Sequence, residues 1–588
     1  MWGGPEDEKR RAKMNIPMTI RRLRRIMPLR SPRIAVAAAA TLLGLAALAA
    51  VADLQLSPGP GKPRAAAQQT STSGSTSDPQ QPVLLASEEN DVADAPVSTA
   101  GLGELRPKVH LTPASGWMND PQRPFFLNGR WHLYYLYNED YPTGNGTEWF
   151  HVTSTDLVHW VDEGVAIHKY TRGDGDIQSG SAILDVNNTA GFGADAIIVV
   201  ATQQLNGVQT QSLFYSTDGG YTFEQYANNP ILRHPVDGAD FRDPKIIWEA
   251  EHSRWLMLLA EGNKIGFYTS TNLKQWSYLS GFIRDDLGLM ECPELFRMTV
   301  DGDPSRTTWV LATGANGFNY GMSTGYAYWT GSWDGTNFHP DRAEPQWLDN
   351  GSDFYAGVSW TDPRQAAEEQ LRTRYAIGWT NNWDYVRRLP VDEWAGNHLS
   401  LVREVHLKDI DGRLTLTSRP IDAIGALEGN QTRIDERLIG PGETWAVPQP
   451  PSPAYRLRAS IAQDPSNPTR EVRLKLKTDG THFATVGYDF AHETAFLVRD
   501  WDAIASQLTE VYRQVRTVHV RPHNGIIDLD IVVDRTSVEM FVNGDEHALS
   551  AIVYGANDAN GISAEAVDGR AVIRSMSVTR LTPAPPVR

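Results

Sequence analysis

Three acidic residues have neighbours suited to acid/base chemistry. Asp120 lies in G-W-M-N-D-P (116–121), Asp243 in F-R-D-P-K (241–245) and Glu291 in M-E-C-P-E-L-F (290–296). Proline follows Asp120 and Asp243 directly and Glu291 one residue later. It fixes the chain and removes a backbone donor, which suits the start of a strand. Each carboxylate sits among apolar or aromatic residues, where an unpaired charge is costly. Partial burial separates pKa values, as a general acid and an ionised partner require. Taken singly, each reads as a turn aspartate or a strand-edge glutamate. Three in similar contexts point to acid/base work at one centre. The one cysteine, Cys292, excludes a disulfide framework and a multi-thiolate metal site. It has no evident histidine partner, so we read it as a small packed residue beside Glu291. His110, His132, His151 and His159 have no metal-ligand spacing and read as structural. No metal or cofactor is implied, and carboxylates working alone suit glycoside chemistry.

Distant carboxylates meet only if the elements carrying them converge. After residue 106 the chain alternates short strands with Gly, Asn and Asp turns, as in WHLYYLYN (131–138), AIIVVATQ (196–203), WLMLLAEG (255–262) and WVLATGAN (309–316). One short helix is expected near 362–373. A small turn motif recurs as S-T-D-L-V-H-W (154–160), S-T-D-G-G-Y-T-F (216–223), S-T-N-L-K-Q-W (270–276) and, more loosely, W-T-G-S-W-D-G-T-N-F (329–338). A period near 60 residues with about four strands in it indicates propeller blades. Residues 106–425 accommodate five. The expected class is therefore all-β, a five-bladed β-propeller followed by a C-terminal β-sandwich over 432–588. The sandwich is expected from the alternating segments at 454–462, 471–479, 526–544 and 570–581. A supporting module is favoured over a carbohydrate-binding one.

The front of the chain differs. The formal net charge is -17, yet residues 1–52 carry ten basic and three acidic residues, leaving 44 and 68 for the remainder. So acidic a body repels phosphate backbones, which argues against a nucleic-acid partner. Basic residues 21–33 followed by the uncharged run IAVAAAATLLGLAALAAVA (34–52) read as an export signal or anchor, with cleavage favoured. Membrane contact is expected only through this segment if it is uncleaved, and the protein is expected to be secreted or held at the cell surface. Residues 53–105, rich in Pro, Ser, Thr, Gln and Gly, read as a disordered linker.

W-M-N-D-P, S-G-S-A (179–182), F-R-D-P and E-C-P together resemble glycoside hydrolase family 32, the β-fructosidases. The likeness continues at D-F-Y-A (353–356) and G-W-T-N-N-W (378–383) and covers roughly 106–580. The resemblance implies that Asp120 is the nucleophile, Glu291 the acid/base and Asp243 the transition-state stabiliser. It implies fructosyl contacts from Trp117, Asn119, Ser179 and Arg242, and a levan, inulin or sucrose substrate. The sequence departs from the family pattern at Gln122-Arg123, which reads as adding a cation at the rim, and at Leu136 and Trp149-Phe150-His151. These changes bear on substrate choice. Alternatives are a levan fructotransferase, a sialidase (from the S-T-D-G-G turn), a five-bladed arabinan- or xylan-cleaving enzyme, and a non-catalytic glycan-binding propeller.

Overall fold

The computed structural model describes residues 96–582, except 143–145, 236–239 and 451. The expected export segment, and the expected linker up to residue 95, lie outside the described residues. Those described belong to one compact unit.

Five antiparallel four-stranded units follow one another. Blade one contains Gly116–Leu127, Arg130–Asn138, Glu148–Ser154 and Trp160–Ile167. Blades two, three and four open with Asp176–Asp185, Arg242–Glu249 and Met290–Val300, and blade five with Tyr355–Trp360. Gly116–Leu127 also pairs in parallel with Trp394–Ala395, which links the first blade to the stretch of chain leading into the last blade's third strand. The one helix expected near 362–373 is Ala367–Arg372, inserted in blade five.

The recurring Ser/Thr–Asp/Asn motif is the turn between third and fourth strands. Ser154 Oγ accepts from the Leu157 N–H (2.8 Å) and Asp156 Oδ1 from the His159 N–H (2.8 Å). Ser270 and Asn272 repeat the arrangement with Leu273 (2.9 Å) and Gln275 (3.0 Å). Ser216 and Asp218 hold the N–H groups of Gly220 and Thr222 in the same way. Local side-chain acceptors thus close each hairpin without tertiary help. Between the blades lie aromatic and β-branched cores. One, with Tyr134, Leu136, Trp149, Ile177 and Val199, joins the first two blades. Leu136 therefore fills an inter-blade core.

A seven-stranded and a six-stranded sheet form the C-terminal sandwich. Its core includes Leu457, Ile461, Leu474, Val486, Ile531 and Met540, all fully buried. Glu428–Ile434 already pairs with Ala571–Leu581, so the sheet begins four residues before 432. The spacer reading also fails at its end. Val97, Leu102 and Leu105 are buried against Tyr385, Trp394 and Tyr554. The polar composition of the whole stretch masked these three apolar anchors.

Candidate active site

Each blade's first strand carries a register shift near its start. The shifts fall between Met118 and Pro121, Ile177 and Gly180, Arg242 and Lys245, Glu291 and Glu294, and Tyr355 and Val358. A bulge adds a residue and re-aims side chains. In blades three, four and five the extra residue has positive φ: Asp243 at 62°, Cys292 at 49° and Ala356 at 46°. Such left-handed backbone is uncommon outside glycine and is held here by its surroundings. The prolines at 121, 244 and 293 sit where the ladder is interrupted, so their missing N–H costs nothing there.

The bulges bring five blades to one cleft. Asp120 accepts from the Ser179 hydroxyl at Oδ2 (2.7 Å) and from the Asn119 amide at Oδ1 (3.0 Å). The Trp117 indole N–H in turn fixes Asn119 Oδ1 (2.9 Å). Asp243 Oδ2 accepts from the Cys292 N–H (3.0 Å), and Cys292 Sγ lies 3.7 Å from Asp243 and 3.9 Å from Asp120. Arg242 donates Nε and Nη2 to Glu291 Oε1 (3.0 and 2.9 Å), while the Tyr355 hydroxyl donates to Oε2 (2.5 Å). Trp117 stands among Tyr141, Trp379 and the half-exposed Trp383, an aromatic wall beside the carboxylates.

Crowding sets the electrostatics. Burial, then the charge of Glu291, raises Asp243 to about 7 despite the nearby Arg242. The same two causes raise Asp120, with Ser179 and Asn119 pulling the other way. Burial alone would lower Arg242, but Glu291 and Asp243 hold it firmly cationic. Asp243 and Asp120 therefore both keep a proton to higher pH than a free carboxyl does. An arrangement with ionised and protonated carboxyls at one apolar-walled cleft can attack an acetal carbon and protonate its leaving oxygen.

Two family models match almost the whole described chain: the glycosyl hydrolases family 32 N-terminal domain over residues 110–420 and the family 32 C-terminal domain over 427–580. The chain belongs to glycoside hydrolase family 32. As a family 32 enzyme it is a β-fructofuranosidase, a glycoside hydrolase acting on fructans or sucrose. It is 39% identical over 485 residues to a levanbiose-producing levanase of Bacillus subtilis, covering 81% of this chain and 90% of that one. It is 46% identical over 327 residues to the levanbiose-producing levanase of Geobacillus stearothermophilus, covering 55% and 82%. The crystal structure of exo-inulinase from Aspergillus awamori superposes with a TM-score of 0.73 at 28% identity, covering 82% of this chain and 99% of that one.

Within this family 32 cleft the structure brings together all seven residues singled out from sequence: Asp120, Asp243, Glu291, Trp117, Asn119, Ser179 and Arg242. It adds two that had no role assigned. Tyr355 stood inside the quoted D-F-Y-A motif, but nothing in the sequence tied it to Glu291. Gln122, noted only as a departure, spans two blades. Its amide donates to the Asp120 carbonyl (3.0 Å) and toward Ser179 Oγ (3.3 Å), and its Oε1 accepts from the Gly180 N–H (2.9 Å). Arg123 is not a rim cation. Burial lowers its pKa, and its charge faces the buried Glu294, which pairs with Lys245.

Proposed function

We propose that Asp120 is the nucleophile, Glu291 the acid/base and Asp243 the stabiliser of a retaining reaction on the β-(2→6) links of levan. The observation that carries this reading is the meeting of the three carboxylates in one cleft, each with its own donors. Asp120 attacks the anomeric carbon as Glu291 gives its proton to the departing oxygen, leaving a fructosyl ester on Asp120. Glu291, now ionised, takes a proton from water, which attacks the same carbon and frees Asp120. Asp243 stays ionised against the oxocarbenium-like charge. Trp117, Asn119, Ser179 and Arg242 line the fructosyl unit. Levan is favoured over inulin and sucrose because two relatives are named levanbiose-producing levanases. Export of the chain is supported by its basic-apolar front and by a 31% identical relative named extracellular exo-inulinase. We assign catalysis to residues 106–425 and a supporting role to the sandwich from 432 onward.

Chromatography of products from levan, inulin and sucrose tests the substrate. Levan is expected to be cleaved fastest, with levanbiose as the main product. Faster release of fructose from inulin or sucrose overturns that choice. Asp120→Ala and Glu291→Ala are each expected to lose nearly all turnover with the fold retained, and undiminished activity in either refutes the roles.

A further inference from the structure

Between blades four and five the chain runs along sandwich strand His547–Ile552. The Asn350 N–H donates to the Ala548 carbonyl (2.7 Å), and the N–H groups of Ser352 and Asp353 both donate to that of Ser550 (2.9 and 3.1 Å). A Cβ on Gly351 would stand 2.0 Å from the Ser550 oxygen, so only glycine permits this approach. Asp353, fully buried, is then clamped from the sandwich. Its Oδ2 accepts from Arg499 Nη1 (2.7 Å) and from the Ile552 N–H (2.8 Å). Arg499 Nη2 also donates to the Tyr385 hydroxyl (2.7 Å), which bonds the other oxygen of Asp353. Arg499 is itself 1% exposed. Two residues beyond Asp353, the strand Tyr355–Trp360 begins, and Tyr355 donates to Glu291.

The terminal torsion of a glutamate is broad, so its carboxyl needs external donors to hold one plane. Glu291 has Arg242 on one oxygen and Tyr355 on the other. We infer that Arg499 of the sandwich is a positioning residue for the acid/base: by fixing Asp353 it sets the Tyr355 hydroxyl, and through it the plane of Glu291. The sandwich thereby takes part in catalysis without touching substrate. This rests on the assignment of Glu291 as acid/base.

The test uses the full chain with two substrates, levan (or inulin, whichever the product assay favours) and an aryl β-fructofuranoside. An aryl oxide leaves with little help from an acid, so misplacing the acid affects it less. Tyr385→Phe and Arg499→Lys are expected to lower kcat on the fructan about tenfold, with KM within about twofold and the aryl rate within about threefold. Adding Tyr385→Phe to Tyr355→Phe is expected to cost nothing further, since both act on one group. Equal losses on both substrates, or losses that multiply in the double variant, overturn the inference. If Arg499→Lys fails to fold, Tyr385→Phe decides, because it leaves the Arg499–Asp353 pair intact. Undiminished fructan turnover by Glu291→Gln would overturn the acid/base assignment itself. An inactive Glu291→Gln with multiplying losses overturns only the role of Arg499.

Discussion

Asp243 is 6% exposed, and burial with the Glu291 charge holds it near 7. As the stabiliser, Asp243 must be ionised, so kcat/KM is expected to fall as pH drops below about 7. Arg242 favours the ionised carboxylates. Arg242→Gln is therefore expected to raise Asp243 further, moving the acid limb of the pH–rate profile upward while turnover drops about 100-fold. A limb that stays in place would place the titrating proton elsewhere. At this scale the sequence was informative where chemistry leaves a local trace. Asp120, Asp243 and Glu291 were found by apolar neighbours and nearby proline. Tyr355 left no such trace, because its partner lies 64 residues away and a tyrosine at the start of a strand reads as core.

Strand alternation, the 60-residue period and the turn motif made the blades legible, since each is written in a few adjacent residues. The bulges were not, since one extra residue in a strand changes pairing without changing composition. Yet they aim the site, and the donors they free are taken up across blades: the Asp243 N–H by Thr202 Oγ1 (3.0 Å) and the Gly180 N–H by Gln122. Gly180 allows a close approach of two strands in blade two. A Cβ there would lie 2.2 Å from the Val200 oxygen and 2.6 Å from Ala201 Cα, both backbone atoms that cannot yield cheaply. Gly180→Ala is expected to cost about 1–3 kcal/mol of stability. It should also draw Ser179 away from Asp120, so that turnover falls further than the melting temperature alone would predict. Thermal melts and kinetics on the same preparation check this, and unchanged kinetics would mean that the strand absorbs the extra methyl elsewhere.

Propeller and sandwich are joined by buried charge, which the sequence could not reveal because the partners lie more than 130 residues apart. Arg403 links Asp349 to Glu539 (2.7 Å each), and His110 bridges Asp534 (2.8 Å) and Glu539 (2.9 Å) with no side-chain exposure. Reading His110 as structural was sound, but its charge was not foreseen. Burial opposes that charge, yet hydrogen bonds and attraction from Asp534 and Glu539 raise its pKa from 6.5 to about 9. A cation held more tightly in the folded state contributes fully below pH 6.5 and is lost as pH rises through about 9. Glu539 runs the other way. Burial would raise it, but Arg403 and His110 lower it to about 2, so its contribution fades as pH falls from 4.5 toward that value. The junction is therefore strongest between about pH 4.5 and 6.5 and loosens on both sides. Replacing His110 with glutamine keeps hydrogen-bonding capacity but removes the titrating charge. The wild-type melting temperature is expected to fall steadily between pH 6.5 and 9, whereas His110→Gln starts lower and changes little over that range. Parallel slopes would assign the alkaline loss to other groups. Because buried partners left alone are costly, truncating the chain before the sandwich should yield insoluble propeller, with His110, Arg403 and Asp353 losing the charges of Asp534, Glu539 and Arg499.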